Sequence, residues 1–146
     1  MLTRELMSEE IACCTPETSL VDVAKLMAER DCGCIPVVES QQSKRLAGVI
    51  TDRDIVVRAV ANNRDPSTAT AGDFMSRPVF TATPETSEEE LCHLMEQHQV
   101  RRVPVVDENS ACCGIVSQAD IARVAPEAET AEVLRDISQP SGAAGL

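Results

Sequence analysis

The residues best placed for chemistry are a hydroxyl and a carboxylate three positions apart, and the chain carries this pair twice. Thr51 and Asp54 follow a Gly-apolar-apolar run that begins at Gly48. The second pair is Ser117 and Asp120, after a similar run. A strand followed directly by a helix leaves backbone N–H groups and the positive end of the helix dipole exposed, which favours an anion. The hydroxyl can bind a phosphate or ribose oxygen, and the carboxylate can accept from the paired hydroxyls of a ribose.

The same spacing also has a purely structural interpretation. A Ser or Thr with an acidic residue three positions later forms a capping box, which satisfies helix N–H groups without any ligand. Ser19 with Asp22 and Ser87 with Glu90 show the same spacing elsewhere in the chain. For one pair alone both interpretations stay open, but two pairs at matched positions favour binding.

The two pairs belong to a duplication that covers most of the chain. The second copy has a loop two residues shorter, so the offset between the copies changes along the sequence. The matched segments are 15–19 with 83–87 and 35–38 with 103–106, both 68 positions apart, and 48–55 with 114–121, 66 positions apart. A duplicated unit usually means two half-modules that bury their apolar faces against each other.

Apolar periodicity and turn residues predict the elements that position these side chains, and the order strand, helix, strand, strand, helix in each copy gives an α+β class. The first copy has predicted strands at 11–14, 34–39 and 46–51 and helices at 20–30 and 52–61; the second has strands at 79–81, 102–107 and 113–117 and helices at 87–98 and 118–124. A short helix near 72–75 connects the copies. A further helix over 127–137 is predicted to pack on the module or on a partner, before a frayed tail. The predicted domains are 1–66, 67–126 and 127–146.

Composition excludes several classes of function. The chain has 146 residues, a net charge of −11 and only two aromatic side chains, both Phe. Nucleic-acid binding is therefore not expected, because it needs a basic surface and usually stacking aromatics. No apolar run reaches the roughly 20 residues needed to cross a bilayer, and the N-terminus lacks a secretory signal. We expect a cytoplasmic protein without membrane contact.

The doubled Gly-apolar-x-Thr/Ser-x-x-Asp pattern, with an apolar-Pro pair opening the preceding strand of each copy, resembles a tandem pair of cystathionine β-synthase (CBS) domains, a standalone Bateman module. The resemblance covers about residues 2–124. In that family two β-α-β-β-α repeats pack through their sheets around a pseudo-twofold axis and leave two clefts for adenosine-type ligands. The resemblance implies the same fold and the same class of ligand for this chain.

The resemblance also assigns residues to these clefts. A carboxylate would hold the ribose hydroxyls, a hydroxyl side chain would contact ribose or phosphate, and an apolar-Pro pair would line the adenine slot. The ribose-binding carboxylates would be Asp54 and Asp120, and the hydroxyl side chains would be Thr51 and Ser117. The adenine slots would be lined by Ile35, Pro36, Val103 and Pro104. The candidate cations for phosphate are Arg53, Arg58, Arg101 and Arg102, for which solvated surface charge is the alternative.

The two copies differ at these cationic positions. Ala119 matches Arg53, and Cys34 matches Arg102. We therefore expect two sites of unequal affinity.

The seven cysteines are expected mainly as small core residues, since free cysteine is usually buried. Cys32 and Cys34 look exposed, and a metal site could recruit them with His93 or His98, although the spacing of common zinc motifs is missing. No set of nucleophile, base and orienting residue is apparent, so we do not expect an enzyme or a required cofactor.

Together these patterns predict a regulatory module that binds AMP, ADP, ATP or an NAD-like dinucleotide, forms a homodimer and signals to an effector protein in trans. A cysteine-based metal or redox sensor is one alternative. A structural interaction module with degenerate clefts is the other.

Overall fold

A computed structural model describes residues 1–77, 80–124 and 127–139. Helices and two small antiparallel sheets alternate in it, which confirms the α+β class. The elements are α1 (Thr3–Leu6), α2 (Leu20–Arg30), β1 (Cys34–Val38), β2 (Leu46–Thr51), a π-helix (Asp54–Ala59), a 3-10 helix (Val60–Asn62), α3 (Ala71–Phe74), α4 (Glu88–His98), β3 (Arg102–Val106), β4 (Cys112–Ser117), α5 (Gln118–Ala122) and α6 (Glu127–Ile137). None of the helices in these ranges is long and apolar enough to cross a membrane.

These elements pack into two compact units, and the division does not follow chain order. The first-repeat unit contains the described residues from 12 to 77, and the second-repeat unit contains residues 1–11 and those from 80 onward. The predicted boundaries 1–66, 67–126 and 127–146 concern the duplicated sequence and stay a prediction. The predicted strand at 79–81 begins outside the described residues, and so does most of the predicted tail.

The matched helices α2 and α4 begin and end with the same local structure. Ser19 Oγ accepts a hydrogen bond from the Asp22 N–H at 3.2 Å, and Ser87 caps α4 in the same way. The helices end at Asp31 and Gln99, both in the left-handed conformation with φ of 50° and 53°. Polar N-caps and left-handed C-caps satisfy the terminal backbone groups.

Each unit has one antiparallel strand pair, β1 with β2 and β3 with β4. Pro36 pairs with Val49 and Pro104 with Ile115, so the two sheets share one register. The strand predicted at 11–14 is wrong, because only Cys14 forms a bridge, to Val37. The chain turns immediately afterwards, where the Thr15 N–H donates to the Thr18 hydroxyl.

The apolar faces of α2 and α4 each form a core with the strand pair of the same unit. The first-repeat core includes Leu20, Val23, Met27, Ile35, Val37 and Ile50, and the second-repeat core includes Leu91, Met95, Val103, Val105, Val116 and Ile121. Cys92 is buried in the second core, as predicted, whereas Ala24 at the matched position of α2 is exposed.

A short segment after α3 pairs with β2, and a matching segment after α1 pairs with β4. Ser76, just after α3, donates to the Val49 carbonyl at 2.8 Å within the first-repeat unit. Ser8, just after α1, donates to the Ile115 carbonyl at 3.0 Å within the second-repeat unit. These two serines are 68 positions apart, so the short helices α1 and α3 are themselves part of the duplication.

Helix α6 packs on α4 and α5 within the second-repeat unit. Val133 and Ile137 on its inner face are buried in the core of that unit. On the same side, α6 brings acidic residues against α4. Carboxylate oxygens of Glu96, Glu132 and Asp136 lie within 4.8 Å of one another. The apolar contacts therefore hold α6 in place while like charges oppose its packing.

Glu96→Gln is expected to stabilise the protein at neutral pH. Burial, with the charges of Glu132 and Asp136, raises the pKa of Glu96. The folded protein thus binds this proton more tightly than the unfolded chain, so stability falls as the pH rises from the usual range of a glutamate through the raised pKa. Removing the charge should raise the Tm at pH 7 by about 2 °C and flatten the pH dependence. Calorimetry from pH 4 to 8 measures both.

Glu108→Gln, at an exposed position in the turn after β3, is the matched control for Glu96→Gln. This substitution also removes one negative charge, but at a position outside α6 and its neighbours. The Tm should stay unchanged within about 0.5 °C, as usual for surface substitutions. An equal gain in both variants would attribute the effect to net charge and contradict the local repulsion.

Candidate functional site

At the end of β2 the first hydroxyl–carboxylate pair forms a complete capping box. Thr51 Oγ1 accepts from the Asp54 N–H at 3.1 Å, and Asp54 Oδ2 accepts from the Thr51 N–H at 3.0 Å. The two residues are only 3 % and 9 % exposed. The structural interpretation is therefore realised, and it also fixes the position of the carboxylate.

The second pair repeats this geometry at the end of β4. Asp120 Oδ2 accepts from the Ser117 N–H at 2.8 Å, and Ser117 Oγ accepts from the Asp120 N–H at 3.3 Å. Because the cap uses Oδ2 in both copies, each carboxylate keeps its Oδ1 atom for another partner.

An arginine one turn along the helix lies near this remaining oxygen in each unit. Arg58 Nη1 lies 3.7 Å from Asp54 Oδ1, and Arg123 Nη1 donates to Asp120 Oδ1 at 3.0 Å. Arg123 was not among the predicted site residues. Its spacing of three positions from an acidic residue on a helix was the signal that could have found it.

The backbone N–H groups expected to be free at the first site are occupied. Asp52 N–H donates to the Gly33 carbonyl at 3.0 Å, and Arg53 N–H donates to the Asp52 side chain at 2.8 Å. At the second site the Gln118 N–H donates to the Arg101 carbonyl at 2.8 Å. The expectation of an open helix N-terminus at the first site is therefore wrong, because the preceding loop and side chains already accept these donors. A phosphate there would depend on arginine side chains.

The predicted cations are distributed unequally between the units. Arg102 lies directly opposite Ser117 in the β3–β4 pair, whereas Cys34 lies opposite Thr51 in the β1–β2 pair. Arg53 and Arg101 are exposed. The second site thus has Arg102 and Arg123 close to its hydroxyl–carboxylate pair. This distribution is consistent with the expected inequality, which stays a prediction.

The predicted adenine-lining residues are buried. Ile35 and Val103 belong to the cores of their own units. Pro36 and Pro104 are buried in the same strands, and their carbonyl oxygens accept backbone bonds from Cys14 at 3.1 Å and Ala82 at 3.0 Å. These strands hold the sheet together within each unit, and their contact with adenine stays a prediction.

The cysteines are mostly protected thiols. Cys34, expected to be exposed, is buried at the start of β1. Burial raises the pKa of Cys14 to about 12. Burial, together with the neighbouring Glu129, raises the pKa of Cys92 to about 12 as well. These two thiols are protonated at neutral pH and are poor nucleophiles and metal ligands in that form.

Potential metal ligands converge at one place in residues 1–77, 80–124 and 127–139: the carboxylates of Glu96, Glu132 and Asp136. The alternative in which Cys32 and Cys34 bind a metal with His93 or His98 would join residues of both units and stays a prediction. An all-carboxylate group is a poor match for zinc, which prefers cysteine and histidine in structural sites.

Comparisons with known proteins find the same duplication. The family model described as CBS domain matches residues 4–60 and again residues 71–127. Hypoxic response protein 1 of Mycobacterium tuberculosis is 38% identical over 137 residues, which are 94% of each chain.

Two solved structures are similar as well. A crystal structure of Hypoxic Response Protein I with two coordinated zinc ions has a TM-score of 0.78 and 39% identity, and the match covers 86% of this chain and all of that one. The CBS domain pair of protein MJ0100, in complex with 5′-methylthioadenosine and S-adenosyl-L-methionine, has a TM-score of 0.75 and 27% identity. That match covers 85% of this chain and 98% of the other.

Proposed function

Because this chain belongs to the CBS domain family and carries two such domains in tandem, we propose that it is a regulatory module that binds an adenine nucleotide and signals to an effector protein in trans. Proteins of this family are usually regulatory rather than enzymatic. The candidate ligands are AMP, ADP, ATP and an NAD-like dinucleotide. A ligand can change the output only through different affinities for two states of the module.

The observation that carries this proposal is the doubled hydroxyl–carboxylate pair, in which the cap leaves one carboxylate oxygen in each unit facing an arginine side chain. Capping alone would need only Oδ2, which accepts from Thr51 in one copy and from Ser117 in the other. The bound 5′-methylthioadenosine and S-adenosylmethionine of the MJ0100 domain pair give further support for an adenosine-type ligand.

In the proposed complex, Asp54 and Asp120 accept from the ribose hydroxyls through Oδ1. Thr51 and Ser117 contact ribose or phosphate, and the apolar-Pro pairs Ile35-Pro36 and Val103-Pro104 line the adenine. Arginines supply charge for the phosphates, since a guanidinium can donate two parallel hydrogen bonds to one phosphate. These are Arg53, Arg58, Arg101 and Arg102, with Arg123 added from the structure.

The proposal includes a homodimer. Val56, Val57 and Val60 form an exposed apolar surface along the π-helix and the 3-10 helix of the first-repeat unit. Contiguous exposed apolar side chains of this kind often mark a protein interface.

Metal binding is the second candidate, and one observation favours it: the similar Hypoxic Response Protein I structure contains two zinc ions. The three carboxylates near α6 are the metal-ligand cluster among the described residues, and they do not fit zinc. Metal content of the protein purified without chelator tests this candidate directly.

Ligand binding should be visible as a rise in Tm. A ligand that binds only the folded protein adds about 2.7 kcal/mol to the free energy of unfolding at 100 times its Kd. For a chain of this size this corresponds to a rise of roughly 5–10 °C. The measurement is a thermal-shift panel with AMP, ADP, ATP, NAD and S-adenosylmethionine, followed by calorimetric titration of every ligand that raises the Tm.

Guanosine and cytidine monophosphates are the controls, since they carry the same phosphate and ribose on another base. If no adenosine-type ligand raises the Tm, the proposed function is wrong. If all nucleotides act equally, the sites bind phosphate or ribose without reading the adenine.

A further inference from the structure

Arg58 joins the carboxylate of the first site to the backbone of α3. Its Nη1 atom donates a 2.7 Å hydrogen bond to the carbonyl oxygen of Phe74, the last residue of α3. The same atom lies 3.7 Å from Asp54 Oδ1. Carbonyls in the last turn of a helix lack partners within the helix and carry its partial negative charge. One guanidinium therefore compensates both a site carboxylate and a helix end.

The ring of Phe74 strengthens this connection. It is buried, and the guanidinium carbons of Arg58 and Arg64 lie 6.0 Å and 5.0 Å from its centroid. Arg64 also pairs with Asp73 at 4.0 Å. Guanidinium groups are attracted to aromatic faces at such distances. The end of α3 is thus held by two arginines, of which one also belongs to the site.

The residues after Phe74 continue toward the second repeat, and we call 71–77 the connecting segment. Its Ser76 N–H donates to the Val49 carbonyl at 2.8 Å, and the return bond from the Val49 N–H is longer, at 3.4 Å. This single bridge ties the segment to β2, two residues before Thr51. The start of the segment is held separately, since the N–H groups of Ala71 and Gly72 donate to the carbonyls of Thr18 and Pro16 at 2.8 Å. A displacement of Arg58 therefore acts on the end of the segment, residues 75–77, which the Ser76–Val49 bridge ties to β2.

The second repeat lacks this connection. Val124 matches Arg58, and Leu6 of α1 matches Phe74, so neither the guanidinium nor the aromatic ring is present. Arg123 contacts Asp120 instead, and its side chain is 71% exposed. Within the described residues, no hydrogen bond or ion pair links Arg123 to α1. The duplicated sites therefore differ in what surrounds their carboxylates.

We propose that Arg58 couples an anionic ligand at Asp54 to the connecting segment, an inference that rests on the proposed function. A phosphate beside Asp54 attracts the guanidinium and draws it from the Phe74 carbonyl. The end of α3 then loses a charge-assisted hydrogen bond, and the bridge between Ser76 and Val49 loosens. Adenosine offers the same ribose without a phosphate, so it leaves Arg58 in place.

Hydrogen–deuterium exchange of the full chain tests this coupling. Saturating AMP should raise the exchange of amides 75–77 about fivefold, because local opening becomes easier. Adenosine should change it less than about twofold. Arg58→Gln should show the raised exchange without ligand, and AMP should add nothing further. The side chain of Arg58 is 47% exposed, so this variant should fold, as circular dichroism would verify.

Arg123→Gln is the matched control, because it removes the arginine of the second site without touching α3. It should retain the wild-type response of amides 75–77 to AMP. Calorimetric titration of AMP separates two kinds of failure. If AMP binds and exchange stays unchanged, or Arg58→Gln responds like the wild type, the coupling is wrong and the proposed function stands. If AMP does not bind, the phosphate-bearing ligand of the thermal-shift panel that does bind replaces it, and if no ligand of the panel binds, both are overturned.

Discussion

Asp54→Asn is expected to lower the affinity of the first site for an adenosine-type ligand by about 10- to 100-fold, and Asp120→Asn should do the same at the second site. The loss follows from weaker hydrogen bonds with the ribose hydroxyls once the accepting oxygen carries no charge. In the wild-type chain a carboxylate oxygen accepts from the backbone N–H of Thr51 or Ser117. The carbonyl oxygen of asparagine can accept the same hydrogen bond, so the cap is retained. Calorimetric titration of each variant gives the affinities.

The chain offers a matched control in Asp22, the third residue of α2. Asp22→Asn changes the same residue type at the same distance from a capping serine, but at a helix with no proposed ligand. It should leave the affinity unchanged. If Asp54→Asn and Asp120→Asn behave like Asp22→Asn, the two pairs serve only as helix caps.

Gly48→Ala is expected to lower the free energy of unfolding by about 1–3 kcal/mol, because a methyl group would be forced into occupied space. A Cβ atom at Gly48 would lie 2.8 Å from Met75 Sδ and 3.0 Å from the Ser76 carbonyl oxygen. The methionine side chain can move, but the carbonyl belongs to the backbone that bridges β2. Gly114→Ala should cost as much, since its Cβ would lie 2.7 Å from Met7 Sδ. Chemical denaturation measures both.

Gly33→Ala is the control for these glycine substitutions. The three atoms nearest to its Cβ would all belong to the side chain of Asp52, with Oδ2 at 2.8 Å. That side chain is exposed, and moving it would affect one hydrogen bond, the one it accepts from the adjacent Arg53 N–H. We expect a change below about 0.5 kcal/mol. An equally large loss at Gly33 would attribute the effect to the backbone rather than to close packing.

Local rules account for much of what the sequence predicted. The bounds of α2 were predicted at Leu20 and Arg30 and are observed there, because a capping serine, a regular apolar face and a helix-breaking turn all agree. The strands at 34–39 and 46–51 were also found, within one residue of their ends. Because the two copies match, the elements of the first copy also predicted those at the matched positions of the second copy.

The features that the sequence did not predict depend on contacts between distant residues. The helix predicted at 52–61 contains a π-helix, Asp54–Ala59, and local patterns do not distinguish this from an α-helix. Arg123 was missed because the alignment of the copies places it opposite Val57. The helix predicted near 72–75 was correct, but its counterpart α1 went unnoticed, although Met-Ser at 7–8 repeats Met-Ser at 75–76.

The division of the two units imposes an order on synthesis. Ribosomes make a chain from its N-terminus, so residues 1–11 emerge before residues 12–77, yet they pack with residues from 80 onward. The first-repeat unit draws on a continuous stretch and can assemble as soon as that stretch has left the exit tunnel. The opening segment must wait until residues 84–88 have emerged to bind its first half, and until β4 has emerged to pair Ser8 with Ile115. We therefore expect the second-repeat unit to finish folding last, because its contact between Ser8 and Ile115 closes a loop that contains the whole first-repeat unit.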